Sequence, residues 1–167
     1  DQVAAGGTAA GQRANGAESA LQLRDLTGHV GPAIGPESSW DVSPDGNSVV
    51  VSWNQLEPNG SARQVLMIID VKDGTRRVLL DDADFDYFQP VFSPDGSRVA
   101  VTLERRSTPE YPIDQRLSIL HLDSGDLHDV APDWDRWPSS KPVWTPDAAR
   151  CCSPVTTWAD PRSGGST

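Results

Sequence analysis

Basic side chains are scarce in this 167-residue chain: 14 Lys and Arg stand against 24 Asp and Glu, for a formal net charge of -10. Polyanions bind to Lys/Arg surfaces whose approach releases counterions, so a nucleic acid partner is excluded on the sign of the field. Long hydrophobic runs are missing too. The longest, Val65 to Val71, is strand-sized and broken by Asp70, well short of the roughly 18 residues a helix needs to cross a bilayer, and no membrane partner is expected. Cysteine occurs only as the adjacent pair Cys151 and Cys152, which has neither the spacing of a zinc pair nor the geometry of a relaxed disulfide. Methionine occurs once, at Met67, and the chain opens on Asp1. It is therefore read as a fragment or processed product, with nothing said of targeting signals upstream. With 37% hydrophobic residues it still has enough apolar surface for a core, that of one ordinary domain or a piece of a larger one.

A sustained 3.6-residue apolar period is also absent, and short β-rich runs alternating with tight-turn signals take its place. Strands are expected over Ser38 to Val42, Ser48 to Trp53, Gln64 to Val71 and Thr75 to Leu80, then over Gln89 to Phe92, Arg98 to Leu103, Arg116 to Leu122 and Leu127 to Val130. The two sets are copies. Ser43-Pro44-Asp45-Gly46 recurs as Ser93-Pro94-Asp95-Gly96, and a third copy opens at Thr145-Pro146-Asp147, in steps of 50 and 52 residues. A second hairpin signal keeps the period independently, because Gly74 and Gly125 are 51 apart. In such a turn proline presets φ, aspartate holds the turn backbone and glycine takes the left-handed conformation. Asp45, Asp95 and Asp147 are thus read as turn formers rather than as catalytic or metal-binding groups.

Four strands repeated at about 50 residues describe a propeller blade; a sandwich gives no reason for a turn sequence to recur at fixed spacing. The expected fold is all-β, a partial β-propeller of about two four-stranded blades plus the start of a third. Residues 1–22 read as a flexible linker or frayed end, although the pattern Leu21, Leu23, Leu26 fits a strand or a helical turn. Residues 23–147 carry the propeller, with blades over about 38–80 and 87–130 and a third starting about 141. A closed ring takes roughly four to eight blades, so open sheet faces are expected and a stable monomer is not. After Asp147 the repeat demands Gly and an apolar strand, but residues 148–167 supply neither. They are read as an aberrant tail without a native fold, which a reading-frame shift near Ala148 would explain.

Candidate site residues are few. Glu104, Arg105 and Arg106 follow a blade strand and open a long loop through Pro109 and Pro112, where a carboxylate suits a peptide amine and an arginine suits a carbonyl or carboxylate. The acidic run Asp81, Asp82, Asp84 and Asp86 lacks the internal glycine of a tightly turned calcium loop and reads as a solvated connection. Trp134 and Trp137 are expected to pack between blades. His121, alternating with Leu120 and Leu122, reads as a surface or hydrogen-bonded residue. No cofactor and no metal site is expected.

Three stretches, Trp40-Asp41-Val42-Ser43-Pro44-Asp45-Gly46, Gln89 to Gly96, and Asp133-Trp134-Asp135-Arg136-Trp137-Pro138 leading to Val143-Trp144-Thr145-Pro146-Asp147, resemble the propeller of prolyl oligopeptidase-family serine peptidases of the acylaminoacyl-peptidase and dipeptidyl-aminopeptidase type. The resemblance covers roughly Leu23 to Asp147. TolB-like propellers share the Pro-Asp-Gly hairpin, whereas the segment from Asp133 to Pro138 and the loop from Glu104 to Pro109 make the peptidase resemblance more specific. It implies a propeller followed by an α/β-hydrolase domain with a Ser, Asp, His triad, acting in the cytoplasm on short peptides or acylated amino-terminal residues. That chemistry needs a nucleophile elbow, usually Gly-x-Ser-x-Gly. The chain has none, and His29, His121 and His128 do not complete a triad. No catalytic residue is assigned. The implied role is non-catalytic: limiting access and positioning peptide for a hydrolase domain absent from this chain, with Glu104, Arg105 and Arg106 as substrate-positioning residues. The alternative is a TolB-like propeller acting as a protein-interaction module without enzymatic activity.

Overall fold

In the computed structural model, residues 24–27, 38–133, 137–148 and 150–152 are described. The first blade is an antiparallel meander of β1 (Trp40–Val42), β2 (Ser48–Leu56), β3 (Ala62–Asp70) and β4 (Arg76–Leu80), hydrogen-bonded in that order. The second repeats it with β5 (Phe85–Phe92), β6 (Arg98–Arg105), β7 (Asp114–His121) and β8 (Leu127–Asp129). A third unit begins with β9 (Val143–Trp144), paired with β10 (Cys151–Cys152). The described residues contain no helix, and none is long and apolar enough to cross a membrane. The chain is all-β, a partial propeller of two complete four-stranded blades and the start of a third.

Five of the strands, β2, β3, β5, β6 and β7, run further than the turn signals suggested. β2 and β3 extend together to the pair Leu56 and Ala62, and β5 starts at Phe85 rather than Gln89. The second change moves Asp86 out of the connection and into a strand. The ladder of β5 slips between Phe88 and Val91. Gln89 there has φ 52, and its amide, turned out of the ladder, donates to Ser39 Oγ of the first blade at 2.6 Å. A bulge thus converts a lost ladder bond into a bond between blades.

The turns bear out the local reading of the motif. Ser43 Oγ donates to Asp45 Oδ1 at 2.6 Å, the Asn47 amide donates to the same oxygen at 3.0 Å and the Ser48 amide donates to Ser43 Oγ at 2.9 Å. Ser93, Asp95, Ser97 and Arg98 repeat this geometry. Gly46 and Gly96 sit at φ 73 and 72, a region that opposes any Cβ. The third copy closes as well: Thr145 Oγ1 donates to Asp147 Oδ1 at 2.6 Å and the Arg150 amide to Thr145 Oγ1 at 3.0 Å. Ala148 occupies the glycine position at φ 56, at a strain of about 1 kcal/mol. Where no native fold was expected beyond 147, the chain forms this turn and a two-residue strand; residues 153–167 lie outside the described residues. So do Trp134 and most of residues 1–37.

Strand alternation sorts the apolar residues into two layers. Val50 and Leu66 point from the first blade toward the second, where they join Tyr87, Phe92, Val99, Val101, Leu103 and Leu120 in one buried core. Val51, Trp53, Val65, Met67 and Ile69 point the other way and form a second cluster, against which Leu26 packs. Arg76 stacks on Trp53 at 5.0 Å from the ring and donates to Leu26 O at 3.1 Å, tying residues 24–27 to this face.

Candidate functional site

In an antiparallel meander the turns alternate between the two ends of the sheet. The Ser-Pro-Asp-Gly turns and the 70–75 and 121–126 hairpins lie at one end. The opposite end gathers the 57–61 loop, the 81–84 connection and the 106–113 loop, and therefore holds both loops that the sequence singled out.

Arg106 is the residue that joins them. Its amide donates to Asp84 O at 2.9 Å, and its guanidinium lies 3.5 Å from Glu57 Oε2 and 3.9 Å from Asp86 Oδ2. Arg63 adds a second cation, 3.4 Å from Glu57 Oε1 and paired with Asp81. Asp86 Oδ1 also accepts the Gln64 amide at 2.6 Å. The Ser61 hydroxyl, then Arg106 and Arg63, holds the Glu57 carboxyl below its ordinary value. Burial pushes the Tyr87 phenol up, and its oxygen accepts the Asp82 amide at 3.3 Å. Three of the four carboxylates of the acidic run are thus consumed in structure: Asp81 by Arg63, Asp82 by the Asp84 amide at 2.9 Å, and Asp86 by two partners. Among the described residues no three His, Cys, Asp or Glu side chains converge on a metal position.

The three residues expected to position substrate do not converge. Glu104 and Arg105 are successive strand residues and leave opposite faces of the sheet. Glu104 turns to its cross-strand neighbour Gln115, whose amide donates to it. Arg105 turns into a cleft of about 440 Å³ walled by Asp84, Arg106, Thr108, Glu110 and Tyr111. Its guanidinium stacks 4.0 Å from the Tyr111 ring, a geometry that holds a cation in place while its edge N–H groups stay available. The carboxylates beside it are Asp84 and Glu110 rather than Glu104. Sequence reasoning missed Glu57 and Tyr111. Glu57 was findable, since Glu57-Pro58-Asn59-Gly60 carries turn chemistry at the place in the first repeat that Glu104 to Pro109 takes in the second.

The other candidates sit elsewhere. His121 and His128 meet edge to face with ring centroids 5.8 Å apart on β7 and β8. Trp137 is 45% exposed, so the packing expected of it between blades is not formed; the unit that would cover it consists of a two-residue ladder.

No family model matches the chain, and no curated protein matches it. Among solved structures it is similar to TolB from Acinetobacter baumannii, at 20% identity and a TM-score of 0.46 over 66% of this chain and 24% of that one. Acylaminoacyl peptidase from Pyrococcus horikoshii matches at 19% identity and a TM-score of 0.44, over 63% of this chain and 15% of the peptidase. Hydrazine synthase from Kuenenia stuttgartiensis matches at 18% identity and a TM-score of 0.46, over 67% and 35%. The likeness is one of fold. The chain spans well under two thirds of the length of each of these structures, and none of them assigns it an activity.

Proposed function

We propose that the chain is a non-catalytic propeller segment of a cytoplasmic serine peptidase of the prolyl oligopeptidase family, one that positions short peptides for a hydrolase domain carried elsewhere in the parent protein. The observation that carries this reading is the cleft beside the second-blade loop. Arg105 offers N–H donors to a peptide carbonyl or carboxylate, and Asp84 and Glu110 offer oxygens to a peptide amine. Arg106 is a positioning residue, since its ion pairs to the first blade fix the loop that carries Arg105. The sequence resemblance of the 104–109 loop and of Asp133 to Pro138 supports the same reading.

The test is to read the DNA across the locus, express the whole frame, and treat it with a fluorophosphonate probe and with chromogenic dipeptidyl and N-acetyl-aminoacyl substrates. A Gly-x-Ser-x-Gly domain that labels and hydrolyses is the expected result. A locus without such a domain defeats the peptidase reading and leaves a TolB-like interaction module. One observation favours that second reading: Glu104 and Arg106 are both engaged by other residues of the chain.

A further inference from the structure

The second blade carries two imidazoles that peptide positioning leaves unused. His121 ends β7 and His128 lies in β8. The ladder sets Ile119 opposite His128 and Leu120 opposite Leu127, so both rings leave the face turned away from the first blade. Their centroids are 5.8 Å apart, edge to face at 81°. That contact is the one interaction either side chain makes among the described residues, which leaves the ring nitrogens without a hydrogen-bond partner there.

Nothing in the blade requires the pair. One repeat earlier, 51 residues back, the same two positions hold Asp70 and Arg77, and the ladder keeps its register, with Ile68 opposite Arg77. A blade of this shape is therefore built without histidine at either place. In the first blade both positions stay exposed although the second blade packs against Ile68 on that face. A further blade packed on the second in the same way leaves His121 and His128 open to solvent.

Free imidazoles on neighbouring strands suit a borderline divalent ion. Two rings that share one ion at about 2.1 Å have centres about 5 Å apart at a tetrahedral angle, a small side-chain rotation from the separation found. Exposed Asp123 and Asp126, in the hairpin that joins the two strands, give this end the sign that draws a cation. Calcium and magnesium ions take oxygen ligands, so the two nitrogens select against them. We propose that His121 and His128 chelate one divalent transition ion of the nickel, copper and zinc class. Water completes the coordination, since no third His, Cys, Asp or Glu side chain converges on the pair among the described residues. The ion clips β8, a strand of three residues, to β7.

The test is a calorimetric titration of the whole chain with Ni2+, with excess Ca2+ present to occupy carboxylates. One saturable site is expected. At about a hundredfold excess over the dissociation constant the melting midpoint should rise by about 5 °C, and amide exchange at Leu127 to Asp129 should slow. His121→Asn and His128→Asn should each abolish the binding, the rise and the slowing while leaving the metal-free melt unchanged, because neither side chain is buried. Cys151→Ser with Cys152→Ser, and separately His29→Asn, should keep all three. Absence of saturable binding would overturn the proposal. So would binding that survives substitution of His121 or His128, binding lost with the cysteines or His29, or β8 amides whose exchange ignores the ion.

Discussion

Leu66→Ala tests whether the two blades share one core. Leu66 is 0% exposed and lies on the face of β3 that meets Tyr87, Phe92 and Leu103 of the second blade. The substitution removes about three methylene-sized groups from that interface, a transfer loss of roughly 2.4 kcal/mol. Core packing leaves a cavity, so the total is about 3–4 kcal/mol. With a urea slope of about 2 kcal/mol/M, the midpoint should fall by about 1.5–2 M. Equilibrium unfolding followed by far-ultraviolet circular dichroism gives the number, with Val78→Ala on exposed β4 as a control expected to stay within about 0.5 kcal/mol. A loss under about 1 kcal/mol for Leu66→Ala would refute the shared core and imply blades that unfold independently.

Gly96→Ala should destabilise by about 1–2 kcal/mol, because at φ 72 the penalty is conformational; the nearest atom to an added Cβ is Pro44 Cδ at an ordinary 3.6 Å. A thermal melt unchanged by this substitution would contradict the left-handed turn. Hydrogen bonds from the neighbouring Ser43 and Asn47, and from Ser93 and Ser97, hold Asp45 and Asp95 down to about 2, below an unfolded value of about 3.9. Their contribution to stability is therefore complete above about pH 4 and lost as pH falls through about 2. Asp45→Asn with Asp95→Asn should flatten that limb of the stability profile, which acid titration of the midpoint will show. Arg106→Gln should loosen the 106–113 loop and speed its limited proteolysis with little change in melting temperature, because the ion pairs it breaks lie at a partly exposed edge; unchanged cleavage would remove Arg106 from its positioning role.

Within each blade the sequence determined nearly everything, because the determinants are local. A Ser-Pro-Asp-Gly turn is closed by hydrogen bonds spanning two to five residues, and a period-2 pattern names both faces of a strand before any partner is known. This locality is why even Thr145-Pro146-Asp147-Ala148 completes its turn without the glycine. What only the tertiary structure decided are the relations between blades. Arg106 meets Glu57 across 49 residues and Asp86 across 20, and Lys141 lies 3.6 Å from Asp41 across 100. Glu104 and Arg105, adjacent in sequence, part to opposite faces because a strand alternates. Whether a buried hydroxyl finds a carbonyl depends on how one sheet seats against the next: among the described residues Ser52 has its partner and Thr102 has none. Turn chemistry and alternation act over a few residues, but the seating of one sheet on another is set by side-chain packing across the whole interface, which no local pattern encodes.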